Sequence, residues 1–191
     1  SFLMEQGKYL AGEEHDHFYP YLKTMTKEAA LAGAVPVEEM DALLKAASDD
    51  RMAYTILTLM YRAGMTSTEI IGISGEDDFI EYDDGVYATL SGREEPCYIP
   101  GDAWIILKEY MDQRLVCDTL FYNRSGRPLN TMYISRMMKK YCSLAGIRNY
   151  SAQAVRNSCA FNMFAYGATD GQTARQMGRT EQQIRRYRGS L

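Results

Sequence analysis

Two neighbouring stretches decide the fold: SAQAVRNSCAFNMFAYGA, residues 151–168, and RQMGRTEQQIRRY, residues 175–187. Ser151 stands where an N-cap would precede an apolar run, and Gly167 ends that run, which predicts a helix over Ala152–Tyr166. Two shorter helices are expected after it, over about Gly171–Met177 and Glu181–Arg188. Together they collect Gln153, Arg156, Arg179 and Tyr187 in one basic segment. A guanidinium offers rigid planar donors to a phosphate, and a phenol becomes a nucleophile once its proton is taken. Arginine plus tyrosine is therefore a kit for attacking a phosphodiester without a metal.

Charge along the chain points the same way. The 191 residues carry a net charge of −4, but the charge is segregated. Residues 1–120 hold 9 Lys/Arg against 23 Asp/Glu, a balance of −14, whereas residues 121–191 hold 12 against 2, a balance of +10. A basic third almost free of carboxylates is the footprint of a surface that faces nucleic acid, so a nucleic acid is an expected partner. The alternative is a solvated basic face that pairs with the acidic part of the same fold.

Working outward, the length suits one domain, or a domain with a short appendage. Residues 1–35 lack sustained periodicity and read as a linker or the remnant of an upstream segment, with the domain proper over 36–191. Pro36 opens a helix whose face is Val37, Met40, Leu43, Leu44 and Ala47. A second helix is expected over Asp50–Ala63, stopped by Gly64 as a left-handed cap. Thr66-Ser67-Thr68-Glu69 has capping-box spacing and starts a short helix through Ile71. FIEY, VYATL and CYIP, punctuated by Asp-Gly and Ser-Gly, predict a small antiparallel sheet of three strands. Helices over Trp104–Arg114 and Asn130–Ala145 follow, the latter with Ile134, Met137, Met138, Tyr141 and Leu144 facing inward. The expected class is mainly α with a small antiparallel β-sheet (α+β).

Other signals exclude rather than assign. Cys97, Cys117, Cys142 and Cys159 show no CxxC and no tight spacing, which suits free thiols in a reducing cytoplasm better than disulfides or zinc. No apolar run approaches the roughly 20 residues that cross a bilayer, so no membrane partner is expected. The first residues have neither the basic leader nor the apolar stretch of a signal peptide. His15 and His17, set among Glu13, Glu14 and Asp16, read as a flexible acidic segment rather than a metal site. No metal or cofactor is expected.

The order of these elements resembles the catalytic domain of the tyrosine recombinases, the phage-integrase family, over about Val37–Tyr187. PVEEMDALLKAA resembles its opening helix, and YRAGMTSTEIIGI the turn around its first catalytic arginine. DTLFYNRSGRPLN resembles the approach to the second arginine, and the two quoted stretches the box that ends in the nucleophile. The resemblance implies Arg156 as the second arginine, Tyr187 as the nucleophile, and a phosphotyrosine intermediate that stores the bond energy for rejoining. It also implies departures. Arg179 replaces a histidine; it can donate to phosphate but stays protonated. Gln153 stands where a histidine or lysine lies and cannot shuttle a proton. Thr66 holds the first arginine's place. Gly92 or Arg93 falls at the hairpin lysine, so Arg93 is the one cationic candidate there. Arg179 to Tyr187 is one residue shorter than the family spacing, a turn of about 100° in a helix. The four residues after Tyr187 leave no room for the tail helix that docks on a neighbouring subunit in this family.

Each assignment has a plainer rival. Tyr187 is one of 15 tyrosines. Arg156 faces phosphate, or else a buried ion pair or carbonyl. Arg179 binds phosphate, or joins Arg185, Arg186 and Arg188 in a solvated stripe. Thr66 reads best as an N-cap. Arg93, Arg185 and Arg186 are the expected DNA contacts beyond the reacting centre. Three functions follow: a DNA integrase or site-specific recombinase, assembling as a homo-oligomer on DNA; an impaired family member that binds DNA or regulates an active recombinase; or a helical interaction module whose acidic and basic parts meet between copies.

Overall fold

Apolar side chains three and four residues apart draw the first two helices together: α1, Val37–Ala46, buries Val37, Met40 and Leu43, and α2, Arg51–Thr58, buries Ile56 and Leu57. The computed structural model describes residues 33–189; the His15 and His17 stretch and nearly all of the expected linker lie outside that range. Ala34 and Val35 already belong to the packed body, and the Val35 N–H donates to the Ser158 hydroxyl at 2.9 Å.

The second helix departs from the expected straight run. After Thr58 it widens into a π turn, Leu59–Ala63, that ends on Gly64 at φ +71°. Such single-turn widenings recur at functional sites. Here the change leaves the Gly64 carbonyl outside the helical ladder, facing the later helix that carries Arg156.

Thr66 then caps α3, Ser67–Gly72, through a complete capping box: Thr66 Oγ1 accepts from Glu69 N at 3.1 Å, and Glu69 Oε2 accepts from Thr66 N at 2.9 Å. The hydroxyl at the first arginine's place is thus engaged in starting a helix. Thr66→Ala is expected to lower stability by about 1 kcal/mol, the usual cost of a lost N-cap, read by urea unfolding.

The three strands form as expected. β1, Phe79–Tyr82, β2, Gly85–Ala88, and β3, Cys97–Ile99, make an antiparallel sheet in sequence order, with Ile80 opposite Tyr87 and Tyr87 opposite Tyr98. Phe79, Val86, Ala88, Cys97 and Ile99 face the core. α4, Gly101–Gln113, begins three residues earlier than expected, directly after Pro100. α5, Thr131–Leu144, is capped by Asn130. It buries Ile134, Met137, Met138 and Tyr141, but Leu144 is exposed, contrary to expectation. Leu144 is the last residue of the helix, on one flank of that stripe, and Cys142 on the other flank is buried instead.

α6, Ala152–Ala165, is capped by Ser151 and packs on the π turn. α7, Asp170–Met177, has its own capping box from Thr169 and Gln172, and α8, Glu181–Gly189, follows after a sharp turn. A small apolar cluster of Cys159, Ala160, Ala174, Met177 and Ile184 locks α6, α7 and α8 together, with Phe164 and Tyr187 packed on its edge. Burying Ile184 alone stabilises this end by about 2 kcal/mol. No helix among the described residues is long and apolar enough to cross a membrane.

Candidate active site

Two buried guanidinium groups organise the site from below. Arg156 lies on α6 and is 3% exposed. Its Nε donates to the Gly64 carbonyl at 2.8 Å and its Nη2 to the Met177 carbonyl. The side chain thereby pins the end of the π turn to the end of α7. Nη1 is buried and has no hydrogen-bond partner among the described residues. Burial, then the charge of Arg179, pushes the Arg156 guanidinium down to about 10, still protonated at neutral pH. Its contacts are carbonyls, so its charge has no carboxylate in salt-bridge contact among the described residues.

Arg93 differs in this respect. It lies in the β2–β3 connection and makes a two-point pair with Glu69, Nε to Oε1 at 2.7 Å and Nη2 to Oε2 at 2.9 Å. Nη1 also donates to the Gln176 carbonyl at 2.8 Å, and Nη2 reaches the Gly64 carbonyl at 3.4 Å. The side chain is 4% exposed. The residue expected to contact DNA is therefore turned inward, because Glu69 and two carbonyls satisfy its donors. Burial opposes ionisation of both partners, but the hydrogen bonds and charges across the pair win: Glu69 is held below its ordinary value and Arg93 above its own.

The turn above Arg93 needs glycine. Gly178 has φ +62°, and a Cβ there would stand 2.7 Å from Arg93 Nε and 2.9 Å from its Cζ. The guanidinium lies against the Gly178 backbone, and the next residue, Arg179, projects outward. The Arg179 N–H donates to the Ala174 carbonyl at 2.9 Å, closing the helix end. Thr180 then caps α8 reciprocally with Gln183.

Tyr187 lies on the inner side of α8, three residues after buried Ile184. Its hydroxyl donates to the Asn157 carbonyl at 3.4 Å, and its ring stacks with Phe164 at 6.5 Å between centroids. Burial raises the phenol to about 12, with the charge of Arg156 pulling the other way. The shortened spacing from Arg179 does not send the phenol away from the site. Gln153, Arg179 and Tyr187 line one cavity of about 320 Å³ with Asn157, Gln183 and Met177. Gln153 is exposed and donates to Asn157 Oδ1 at 2.8 Å.

Other expected cations lie exposed on α8. Arg185 pairs with Glu181 at 3.1 Å and with Asp170 at 3.7 Å, Arg188 pairs with Asp170 at 2.9 Å, and Arg186 is exposed. Arg62 turns away from Thr66 to Asp102, Nε to Oδ2 at 2.8 Å. Sequence reasoning missed Asn157, whose carbonyl receives the phenol, and Gln176, whose carbonyl receives Arg93. Only Glu69 carried a signal, as the third residue of the capping box. Among the described residues no three of His, Cys, Asp or Glu group closely enough to hold a metal ion.

Comparison with known proteins agrees with this architecture. Residues 34–188 match the Phage integrase family. Tyrosine recombinase XerD of Staphylococcus haemolyticus (strain JCSC1435) is 29% identical over 164 residues, covering 77% of this chain and 54% of that protein. The crystal structure of XerA recombinase superposes with a TM-score of 0.71 at 20% identity, over 81% of this chain and 57% of that one. XerH site-specific recombinase bound to its difH substrate, in a pre-cleavage complex, gives 0.68 at 18% identity, over 81% and 49%. This chain thus spans about half the length of the relatives it matches. With the family match running from the first packed residues to the helix that bears Tyr187, the chain belongs to the phage integrase family.

Proposed function

We propose that this chain binds DNA and takes part in site-specific recombination or integration, breaking and rejoining a strand through a phosphotyrosine at Tyr187. The observation that carries this is the one cavity lined by Gln153, Arg179 and Tyr187, together with the buried Arg156 cation, whose charge acts on Tyr187. Glu69 acts on Arg156 without touching it, and a phosphodiester would add negative charge beside Arg179 and Tyr187. Arg179 and Arg156 stabilise the charge that builds on the non-bridging oxygens, and one such donor is commonly worth about 10²–10³ in rate. Gln153 adds a neutral hydrogen bond.

The step is an in-line displacement. The phenolic oxygen forms the bond to phosphorus, the bond to the 5′ oxygen breaks, and rejoining reverses both. The cavity lining contains no histidine or lysine, so the phenol proton leaves to water and water protonates the 5′ oxygen. Slow cleavage follows. Before attack, the phenol must exchange its Asn157 carbonyl for the phosphate. Arg185 and Arg186 approach the flanking backbone, DNA supports the assembly of several copies, and the cytoplasm is the compartment.

A second reading, an impaired member that binds DNA or regulates an active recombinase, is favoured by the engagement of Thr66 and Arg93 in structural contacts. Nicked suicide duplexes of randomised sequence separate the two. Cleavage traps a covalent adduct that Tyr187→Phe abolishes. DNA binding without an adduct assigns the second reading, and neither would overturn both.

A further inference from the structure

Arg93 does not line the cavity of Tyr187, yet its contacts lead there. An α-helix ends on four carbonyls that have no partner within it. In α7 the protein takes all four. The Ala174 and Arg175 carbonyls accept from the Arg179 and Gly178 N–H groups at 2.9 and 3.3 Å. The Gln176 carbonyl accepts from Arg93 Nη1 at 2.8 Å, and the Met177 carbonyl from Arg156 Nη2. Two buried guanidinium groups thus finish the helix just before Gly178 and Arg179, at the end where cations offset its dipole.

Arg93 is itself fixed from the far side. Its two-point pair with Glu69 sets the plane of the guanidinium, and Glu69 is anchored by its bond to Thr66 N. Gln176 completes the arrangement with its side chain: Nε2 donates to the Ala63 and Tyr98 carbonyls, each at 2.8 Å. The last turn of α7 is therefore tied to the π turn, to α3 and to β3 at once. Arg175 adds a tie to Glu95 at 3.1 Å, but both side chains are exposed, and such pairs contribute little. Gly178 then carries the chain over the guanidinium, and Arg179 follows, exposed, into the cavity with Tyr187.

We infer that Arg93 is a positioning residue for Arg179, clamping the end of α7 so that the Arg179 side chain meets a DNA phosphate beside Tyr187. This rests on the reading of Arg179 as a phosphate ligand given above. The clamp needs a planar fork that reaches Glu69 and the Gln176 carbonyl in one fixed geometry. Lysine keeps the charge and loses the fork.

Fluorescence anisotropy with a labelled duplex of randomised sequence tests this on the full chain, with circular dichroism checking the fold of each variant. Arg179→Ala is expected to bind about tenfold more weakly and to lower the slope of log affinity against log salt by about 0.9. Arg93→Lys should weaken binding about fivefold and lower the same slope, although the net charge is unchanged. The double variant should bind no more weakly than Arg179→Ala alone, because the clamp acts only through Arg179. Gln176→Met removes the two side-chain donations, should behave like Arg93→Lys, and keeps the test open if Arg93→Lys fails to fold. Without DNA, the Arg179 amide should exchange about tenfold faster in Arg93→Lys, while the α5 amides keep their rates. Effects of Arg93→Lys and Arg179→Ala that multiply, or an Arg179 amide with parental exchange, overturn the inference alone. A parent that binds no duplex, or an Arg179→Ala variant that binds as well as the parent, sinks the phosphate reading of Arg179 and the inference with it.

Discussion

Replacing Arg156 by alanine is expected to lower the thermal midpoint by about 10 °C, from a loss of about 3 kcal/mol at roughly 2–4 °C per kcal/mol for a domain of this size. The guanidinium joins the Gly64 carbonyl, at the end of the π turn, to the Met177 carbonyl, at the end of α7. Alanine leaves the Met177 carbonyl without its side-chain donor and the Gly64 carbonyl with only the long contact to Arg93 Nη2 at 3.4 Å, and an unsatisfied buried group costs about 1–3 kcal/mol. A cavity adds to the loss. Relief from burying an unpaired cation works against it, since burial already depresses the Arg156 guanidinium. Arg156→Lys should recover little, because a single ammonium on a flexible stem cannot reproduce the planar fork that spans two carbonyls. An alanine variant as stable as the parent would mean that the clasp does not hold this end of the fold together.

Glu69→Gln is the second large effect. Glutamine keeps the hydrogen bond to Thr66 N that completes the capping box, so the variant isolates the charge of the carboxylate. Arg93 then stays buried opposite a neutral amide that offers one acceptor instead of two. Breaking a buried pair by neutralising one partner costs about 3 kcal/mol. The pH dependence gives an independent check. The Glu69 carboxyl is held below its ordinary value of 4.5, so its contribution is present above that pH and disappears as pH falls through the lower folded value. The gap in stability between parent and Glu69→Gln should therefore be full at pH 7 and shrink below about 4.5, measured by urea unfolding across pH. A gap that stays constant to pH 3 would show that the carboxylate charge is not what Arg93 relies on.

Much of the fold was legible because local signals and tertiary packing agree. Ser151, Asn130 and Thr66 each precede a helix and each accept from the backbone N–H three residues on. Asp83-Asp84-Gly85 between two apolar segments marked the hairpin. Gly64 marked a left-handed stop. The π turn before it left no such signal, since nothing in LMYRA differs from an ordinary helical run. Its cause is tertiary: α6 packs on that turn, and Arg156 takes the Gly64 carbonyl.

The site was legible in its parts and not in its wiring. Arg156 and Tyr187 stood out as residue types in the right order, but sequence does not show which way a guanidinium faces. Arg93 read as a DNA contact because the family resemblance sets it at the hairpin lysine; its inward turn depends on Glu69, 24 residues earlier, and on a carbonyl 83 residues later. The shorter Arg179–Tyr187 spacing suggested a misdirected phenol. In the structure Thr180 restarts the helix, so Tyr187 follows Ile184 onto the inner face. Backbone partners such as the Asn157 carbonyl leave no trace in residue identity.

The central proposal is that Tyr187 reacts with DNA. The most direct measurement is to trap the protein on nicked duplexes, digest the adduct with nuclease and protease, and locate the nucleotide remnant by mass spectrometry. A remnant on the peptide bearing Tyr187, formed more slowly with Arg179→Ala, is the predicted result. A remnant on any of the other tyrosines, with Tyr187 unmodified, would contradict the account.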